Sequence, residues 1–506
     1  MLLAEVAATS GAVASNRSRL AKIEAIAACL RKASGDEIAI AVSYLAGELR
    51  QRRPGVGWAS LRERPAPAAE PSLTLSEVDA AFGRLEQAAG SGSTAQRRQE
   101  LTALFGRATA TEQRFLSALL GGELRQGALA GMMMDAVARA AEVEPAAVRR
   151  AAMLAGEIPA VAQAALTSGA AGLARFGLTV GRPLLPMLAS PASSIEEAFG
   201  GLGEAAVEWK LDGIRIQVHR AANDVAVFTR TLDDITSRVP EIVDMALALP
   251  VRSAVLDGEA IALREDGRPR PFQETASRAA SRGDVARLRQ ERPLTPFLFD
   301  VLHLDGQDLL DEPGSARYEA AAVLPEGVWV PRRTVSDPNQ AGDFFREAVA
   351  RGHEGVLVKA LDAPYAAGRR GAGWIKLKPR HTFDLVVLAA EWGRGRRRGW
   401  LSNLHLGARD PESGGFVMLG KTFKGLTDAM LQWQTARFLE LETARDDWTV
   451  YVRPEIVAEV AFDGIQTSPR YPGGIALRFA RVIRYRSDKP ASEADTIQSL
   501  LALHQP

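Results

Sequence analysis

The chain has 506 residues, 46% of them hydrophobic and 24% charged, and a formal net charge of +1. That length exceeds one ordinary core and suits about three domains, while the composition excludes a fibrous or disordered chain and no stretch reads as membrane-spanning. A charge so near zero exerts no global pull on a polyanion, so any nucleic-acid contact must come from local arginine clusters.

Residues 1–15 are apolar and small-residue rich, but they include Glu5 and have no basic leader. A signal peptide is therefore not expected, and the protein is read as cytoplasmic. Cys29 is the single cysteine, which excludes an internal disulfide and any cysteine-cluster zinc site. From residue 1 to about residue 180 the pattern is helical: apolar residues recur at three-and-four spacing over 17–32, 36–50, 76–88, 93–106, 111–120 and 128–155. Two breaks interrupt it, a proline-rich connector over 65–71 and Gly90-Ser-Gly-Ser93. Tyr44-Leu-Ala-Gly-Glu-Leu-Arg-Gln51 recurs as Leu119-Leu-Gly-Gly-Glu-Leu-Arg-Gln126, which suggests a duplicated helical unit. Such a junction either presents amides and a guanidinium to phosphate or simply ends a helix twice.

An extended, proline-spaced linker over 181–191 leads into short strands mixed with helices, and a second change of pattern falls at 379–382. Beyond it, strands are predicted over 383–391, 404–409, 416–423, 455–462 and 477–484, with a helix over 427–443 and a short terminal helix over 492–504. Five strands with one helical insertion fit a small barrel of the oligonucleotide-binding type. The expected architecture is multidomain: an all-α domain over 1–185, an α+β domain over 186–380 and an OB-fold β-barrel over 381–506.

Only nine of the 62 basic residues are lysine. Arginine can replace lysine wherever a cation only solvates a surface, but only lysine can become an amine nucleophile, and its compact ammonium suits a point contact to phosphate. The surviving lysines outside the first domain are therefore candidates. Lys210 sits in Glu208-Trp-Lys-Leu-Asp-Gly-Ile-Arg215, where alternation on a strand sets Glu208, Lys210 and Asp212 on one side before Gly213 breaks the pattern. Downstream come charged strand tips: Arg230, the Asp257 and Glu259 pair, Phe299 beside Asp300, Glu354-Gly-Val-Leu-Val-Lys359, and Trp374-Ile-Lys-Leu-Lys378. Several cations for phosphate, carboxylates for hydrated Mg²⁺ and an aromatic plate for a base make up the inventory of a nucleotide site on a sheet.

This ordered set resembles the ATP-dependent DNA ligases of the archaeal and eukaryotic replicative type, which also occur as accessory ligases in actinobacteria. The resemblance extends to the helical front and to the terminal segment Ala476-Leu-Arg-Phe-Ala-Arg-Val-Ile-Arg-Tyr-Arg-Ser-Asp-Lys489. It implies an all-α DNA-binding domain, a nucleotidyltransferase (adenylation) domain and an OB-fold. It implies that Lys210 is the adenylated lysine, that Glu208 and Phe299 contact adenine, and that Arg215 and Arg230 contact ribose or phosphate. Glu259 and Glu354 would serve ribose and metal, Lys359 would belong to the nucleotide site, and Lys376 and Lys378 would hold the α-phosphate. Arg478, Asp488 and Lys489 would swing in toward the leaving pyrophosphate. Ala480 and Thr229 stand where the family often has proline and serine, and neither change removes a group used here.

The resemblance implies ATP as co-substrate, Mg²⁺ or Mn²⁺ as metal, and nicked duplex DNA bound without regard to sequence. It also implies a nucleoid-associated monomer recruited by a sliding clamp or repair protein. Attack by Lys210 requires loss of its proton, so Lys376, Lys378 and Mg²⁺ are expected to lower its pKa against Asp212 and Glu208. The basic run Arg394-Gly-Arg-Arg-Arg398 ahead of Trp400 suits phosphate contact, or else is a solvated loop. An RNA ligase or capping-type transferase would share the lysine motif but has no call for the helical front. An inactive DNA-end scaffold would be expected to have lost Lys210.

Overall fold

The computed structural model describes residues 1–504 apart from 52–54, 62–63, 91, 125–129 and 367–369. Among these, nine α-helices occupy the first part of the chain, from Leu3–Ser15 to Ile158–Leu173, around one continuous apolar core. Local chemistry sets several of their ends. Thr74 and Thr109 each cap a helix through reciprocal bonds with Glu77 and Glu112, satisfying two exposed amides at each start. In Leu75–Gln87 the buried residues Leu75, Val78, Ala81, Phe82 and Leu85 form one helical stripe.

The helix expected over 128–155 is two helices, Ala130–Ala141 and Pro145–Ala155, separated at Glu142, whose φ is +54°; Ala128 lies outside the described residues. Pro145 starts the second helix, where its missing amide costs nothing. Both copies of the repeated segment end helices: the amides of Glu48 and Glu123 reach back to Ser43 and Ala118 at 2.9 and 2.8 Å. This is a Schellman-type stop. Arg50 and Gln51 of the first copy bond Asp79; Arg125 and Gln126 of the second lie outside the described residues.

The linker expected over 181–191 is extended but not free. Gln217 holds Leu184 through both its amide and carbonyl, and Gly181 N–H donates to His219 Nδ1 at 3.0 Å. Met153 and Leu154 share an apolar core with Leu184, Met187 and Phe299, which seats the helical part against the sheets that follow.

Among the described residues ten strands follow: β1 (Leu188–Pro191), β2 (Ala205–Trp209), β3 (Ile214–Ala221), β4 (Asp224–Thr229), β5 (Ser253–Ala262), β6 (Leu294–Leu304), β7 (Gln307–Asp308), β8 (Arg332–Val335), β9 (Val356–Ala360) and β10 (Arg370–Leu377). They make two five-stranded sheets, in the orders β1-β10-β9-β2-β8 and β4-β3-β5-β6-β7. All pairings are antiparallel except β1 with β10. The segment from Trp209 to Ile214 crosses from the first sheet to the second, so the Lys210 motif bridges the cleft between them.

The C-terminal strands are β11 (His381–Trp392), β12 (Leu401–Arg409), β13 (Phe416–Thr422), β14 (Glu442–Arg445), β15 (Thr449–Val452), β16 (Val457–Phe462), β17 (Gly464–Thr467), β18 (Ile475–Arg478) and β19 (Arg481–Tyr485). Seven form a sheet in which long, bent β11 pairs with β12, β15 and β16. The inserted helix is Asp428–Glu440, shorter than expected, because Thr443 belongs to the β14–β15 hairpin. The single strand expected over 477–484 is two: Phe479, at φ +57°, turns the chain between β18 and β19. Alternating apolar residues concealed that turn.

Candidate active site

Lys210 follows the last residue of β2, and its backbone exchanges bonds with the loop before β9: Lys210 N–H donates to Gly355 O at 2.8 Å, and Glu354 N–H to Lys210 O at 2.9 Å. This pairing sets Glu354 against the nucleophile candidate, with Oε2 2.6 Å from Lys210 Nζ. Lys378, just beyond β10, reaches Glu354 Oε1 at 2.9 Å. Two glycines permit the approach. A Cβ on Gly355, at φ +126°, would lie 2.2 Å from Leu377 O, and one on Gly213 would lie 2.4 Å from Ala260 O.

A cavity of about 790 Å³ opens beside Lys210, within the range of small-molecule sites. Asp212, Arg215, Arg230, Glu259, Phe299, Glu354, Lys376, Lys378 and Arg478 line it together with Lys210. The first sheet carries the lysines and the second supplies Arg215, Glu259 and Phe299. Phe299 packs edge-on against Trp374, with the Arg215 guanidinium 5.3 Å from the Phe299 ring centroid.

Two expected nucleotide contacts lie behind this wall. Lys359 is fully buried outside the cavity lining, 2.6 Å from Glu208 Oε2 and 3.1 Å from Phe299 O. Glu208 is also fully buried, held by Lys359 and Arg332 beneath the cavity-lining residues Trp209, Val330 and Leu357.

Arg478 reaches the cavity and bonds Asp212 at 2.5 and 3.3 Å. Asp488 and Lys489 do not. Lys489 and Arg486 both bond Asp384 at 2.9 Å, and Asp488 pairs with Arg486, so in this arrangement they are tied to the root of β11.

Carboxylates dominate the electrostatics around Lys210. Burial pushes the Lys210 ammonium down, but Glu354, Glu259 and Asp212 outweigh it, and its pKa lies above the ordinary lysine value. Burial also raises Glu259, to about 7, against the pull of Lys210 and Arg215. Glu354, which burial would raise, is instead held at about 2 by Lys210 and Lys378.

The partners of these groups came from the fold. Tyr365 donates to Asp257 Oδ2 at 2.7 Å, Asp257 grips Arg215 at 2.9 and 2.5 Å, and Arg215 also donates to Met187 O at 2.6 Å. Asp257 shares a strand with Glu259, which was a usable signal, but nothing near Tyr365 in the sequence marked it. No group of three or more His, Cys, Asp or Glu side chains among the described residues could hold a metal alone. Glu259 and Glu354 on the cavity wall still suit a hard cation that takes most of its oxygens from phosphates and water. In the C-terminal loop, Arg394, Arg396 and Arg398 are exposed, and Arg394 stacks on exposed Trp448. No helix among the described residues is long and apolar enough to cross a membrane.

Three family profiles match in chain order: "DNA ligase N terminus" over 56–138, "ATP dependent DNA ligase domain" over 186–378 and "ATP dependent DNA ligase C terminal region" over 397–489. A "Probable DNA ligase" of Beutenbergia cavernae is 60% identical over 513 residues, covering 99% of each chain. Another "Probable DNA ligase", from Anaeromyxobacter dehalogenans, is 59% identical over 511 residues and covers 100% of each. The solved structure "Pmar-Lig_PreS3" aligns over 95% of this chain and 99% of its own, with TM-score 0.60 at 17% identity, a likeness of fold.

Proposed function

The chain belongs to the ATP-dependent DNA ligases and is an enzyme of that family, and from this premise we propose that Lys210 is the nucleophile that takes AMP from ATP and passes it to a nick in duplex DNA. The observation that carries this reading is the position of Lys210: an amine in the strand-to-strand crossing, inside a 790 Å³ cavity walled by Lys376, Lys378 and Arg478. We further infer domain limits near 185/186 and 380/381, with an OB-type fold for the C-terminal sheet.

In the first step Nζ of Lys210 bonds the α-phosphorus, the bond from that phosphorus to the bridging oxygen breaks, and pyrophosphate leaves. The amine must first give up a proton. The Lys210–Glu354 contact of 2.6 Å favours the ammonium, so arrival of ATP has to loosen it. Mg²⁺ held by Glu259 and Glu354 with phosphate oxygens would supply the positive charge that makes this loss easier. Lys376 and Lys378 balance charge on the transferring phosphoryl group, and Arg478 on the barrel side orients the leaving group.

AMP then passes to the nick's 5′-phosphate, and the 3′-hydroxyl displaces it. Both transfers require the DNA ends to be held in line. The helical part and the C-terminal sheet flank the cleft and support a reading in which they grip the duplex through phosphates, with Arg394, Arg396 and Arg398 among the contacts. A nucleoid location, a monomeric state and recruitment by a clamp or repair protein accord with that reading.

Incubation with ATP labelled at the α-phosphate, followed by denaturing electrophoresis and a nick-sealing assay, tests the proposal. Wild type should carry covalent label and seal nicks; Lys210→Ala and Lys210→Arg should do neither, since Arg keeps the charge but not the nucleophile. Label on either variant would refute the assignment.

A further inference from the structure

A second cavity, of about 740 Å³, shares Asp212, Phe272 and Arg478 with the one around Lys210 and continues past the Arg478 guanidinium. The turn after β5 supplies Arg264, Arg268 and Arg270 to its wall, and β17 and the terminal helix close it with Ile465, Thr467 and Leu503. Gln273 Nε2 donates to Thr467 O at 3.4 Å across the join. The turn itself is fixed by its backbone: Arg264 N–H donates to Arg268 O at 2.8 Å, with Gly267 at φ +79° between them.

The charge of this wall is one-sided. Four arginines line it against one carboxylate, Asp212, which already bonds Arg478 at 2.5 and 3.3 Å. Arg270 is also engaged, donating to Leu263 O at 3.2 Å and Glu274 Oε2 at 3.3 Å. Arg268 lies 3.8 Å from Asp266, too far for a hydrogen bond, and the Arg264 guanidinium has no acceptor among the described residues. Guanidinium forks fit phosphate oxygens, and a cavity of this volume admits a small anion but not a duplex. Attack by Lys210 on ATP releases such an anion beside Asp212 and Glu354. Arg478, the cation on the leaving side, has its charge offset by Asp212, so the departing pyrophosphate needs cations farther out.

We propose that Arg264 and Arg268 form a pyrophosphate site beyond Arg478, which draws the product away from the nucleotide and, in reverse, presents it to the adenylated lysine. The proposal rests on the reading of Lys210 as the residue that carries AMP. In the reverse step a pyrophosphate oxygen bonds the α-phosphorus, the bond from phosphorus to Nζ breaks, Nζ takes up a proton, and ATP is regenerated.

The test uses the full chain labelled with AMP from α-labelled ATP, freed of nucleotide and mixed with a pyrophosphate series; loss of label gives the half-saturating concentration. Arg264→Gln should raise it by about tenfold, the worth of one charge-assisted bond. Arg264→Lys should recover part of this, and adding Arg268→Gln should raise it further. Inhibition of labelling by pyrophosphate should weaken in parallel. Nick sealing by the pre-labelled variants consumes no pyrophosphate and should stay within about twofold of wild type. An unchanged half-saturating concentration in the double variant would overturn the proposal, and so would an equal loss of sealing, which would assign these arginines to DNA. Should the glutamine variants not fold, Arg264→Lys decides. Absence of label on wild type would instead defeat the Lys210 assignment; binding of pyrophosphate to the unlabelled chain, weakened in Arg264→Gln or not, would then decide the site.

Discussion

Replacing Gly355 by alanine probes the backbone that brings the charged cluster together. The new Cβ would lie 2.2 Å from Leu377 O and 3.1 Å from Lys378 Cα, at a φ of +126° that side chains rarely adopt. A carbon and a carbonyl oxygen settle at about 3.3 Å, so β9 and β10 must part by roughly 1 Å, and the backbone strain adds on the order of 1–3 kcal/mol. That shift falls where Glu354 meets Lys210 and Lys378, at 2.6 and 2.9 Å. A displacement of this size within a reacting constellation costs about 100-fold in rate, equivalent to ~2.7 kcal/mol of barrier. The assay is the single-turnover rate of covalent AMP labelling, with urea unfolding as the check on folding. Gly327→Ala is the control, because a Cβ there meets nothing within 4 Å. A folded Gly355→Ala protein that labels within threefold of wild type would refute the reasoning.

Lys359→Met removes one of two cations from buried Glu208 and should destabilise by about 3 kcal/mol, the lower end for breaking a buried pair because Arg332 remains. Adding Glu208→Gln should restore part of that loss in urea unfolding, and strict additivity would contradict the pairing. Burial lowers the His219 pKa to about 4, while an unfolded histidine protonates near 6.5. Its contribution is therefore complete above about pH 6.5 and is lost as pH falls toward 4, by up to ~3 kcal/mol. The urea midpoint should drop over that interval, less steeply in His219→Gln, and equal slopes in the two proteins would exclude this role. If exposed Arg396 and Arg398 contact phosphate, replacing both with alanine should lower the slope of log binding constant against log salt by about 2; an unchanged slope would place the duplex elsewhere.

Lys210, Glu259, Phe299, Glu354, Lys376 and Lys378 were legible as candidates because each occupies a strand or strand end where one residue type suits the chemistry, and their order along the chain is itself a pattern. The helices of the first part were legible through apolar spacing, which is local. What the sequence left undetermined was non-local. The split between β18 and β19 depends on Phe479 adopting a positive φ, a conformation that alternating apolar residues conceal. Tyr365 and Arg332 meet their targets across 108 and 124 residues, distances at which spacing carries no information. The charge state of Lys210 was likewise decided by tertiary structure. Its sequence neighbours include Glu208, which folding turns away to Lys359, and folding brings Glu354 to it instead. Residue types determined which chemistry was available; only the meeting of two sheets decided which charges face one another, because Coulomb energy depends on distance in space and on burial, not on distance along the chain.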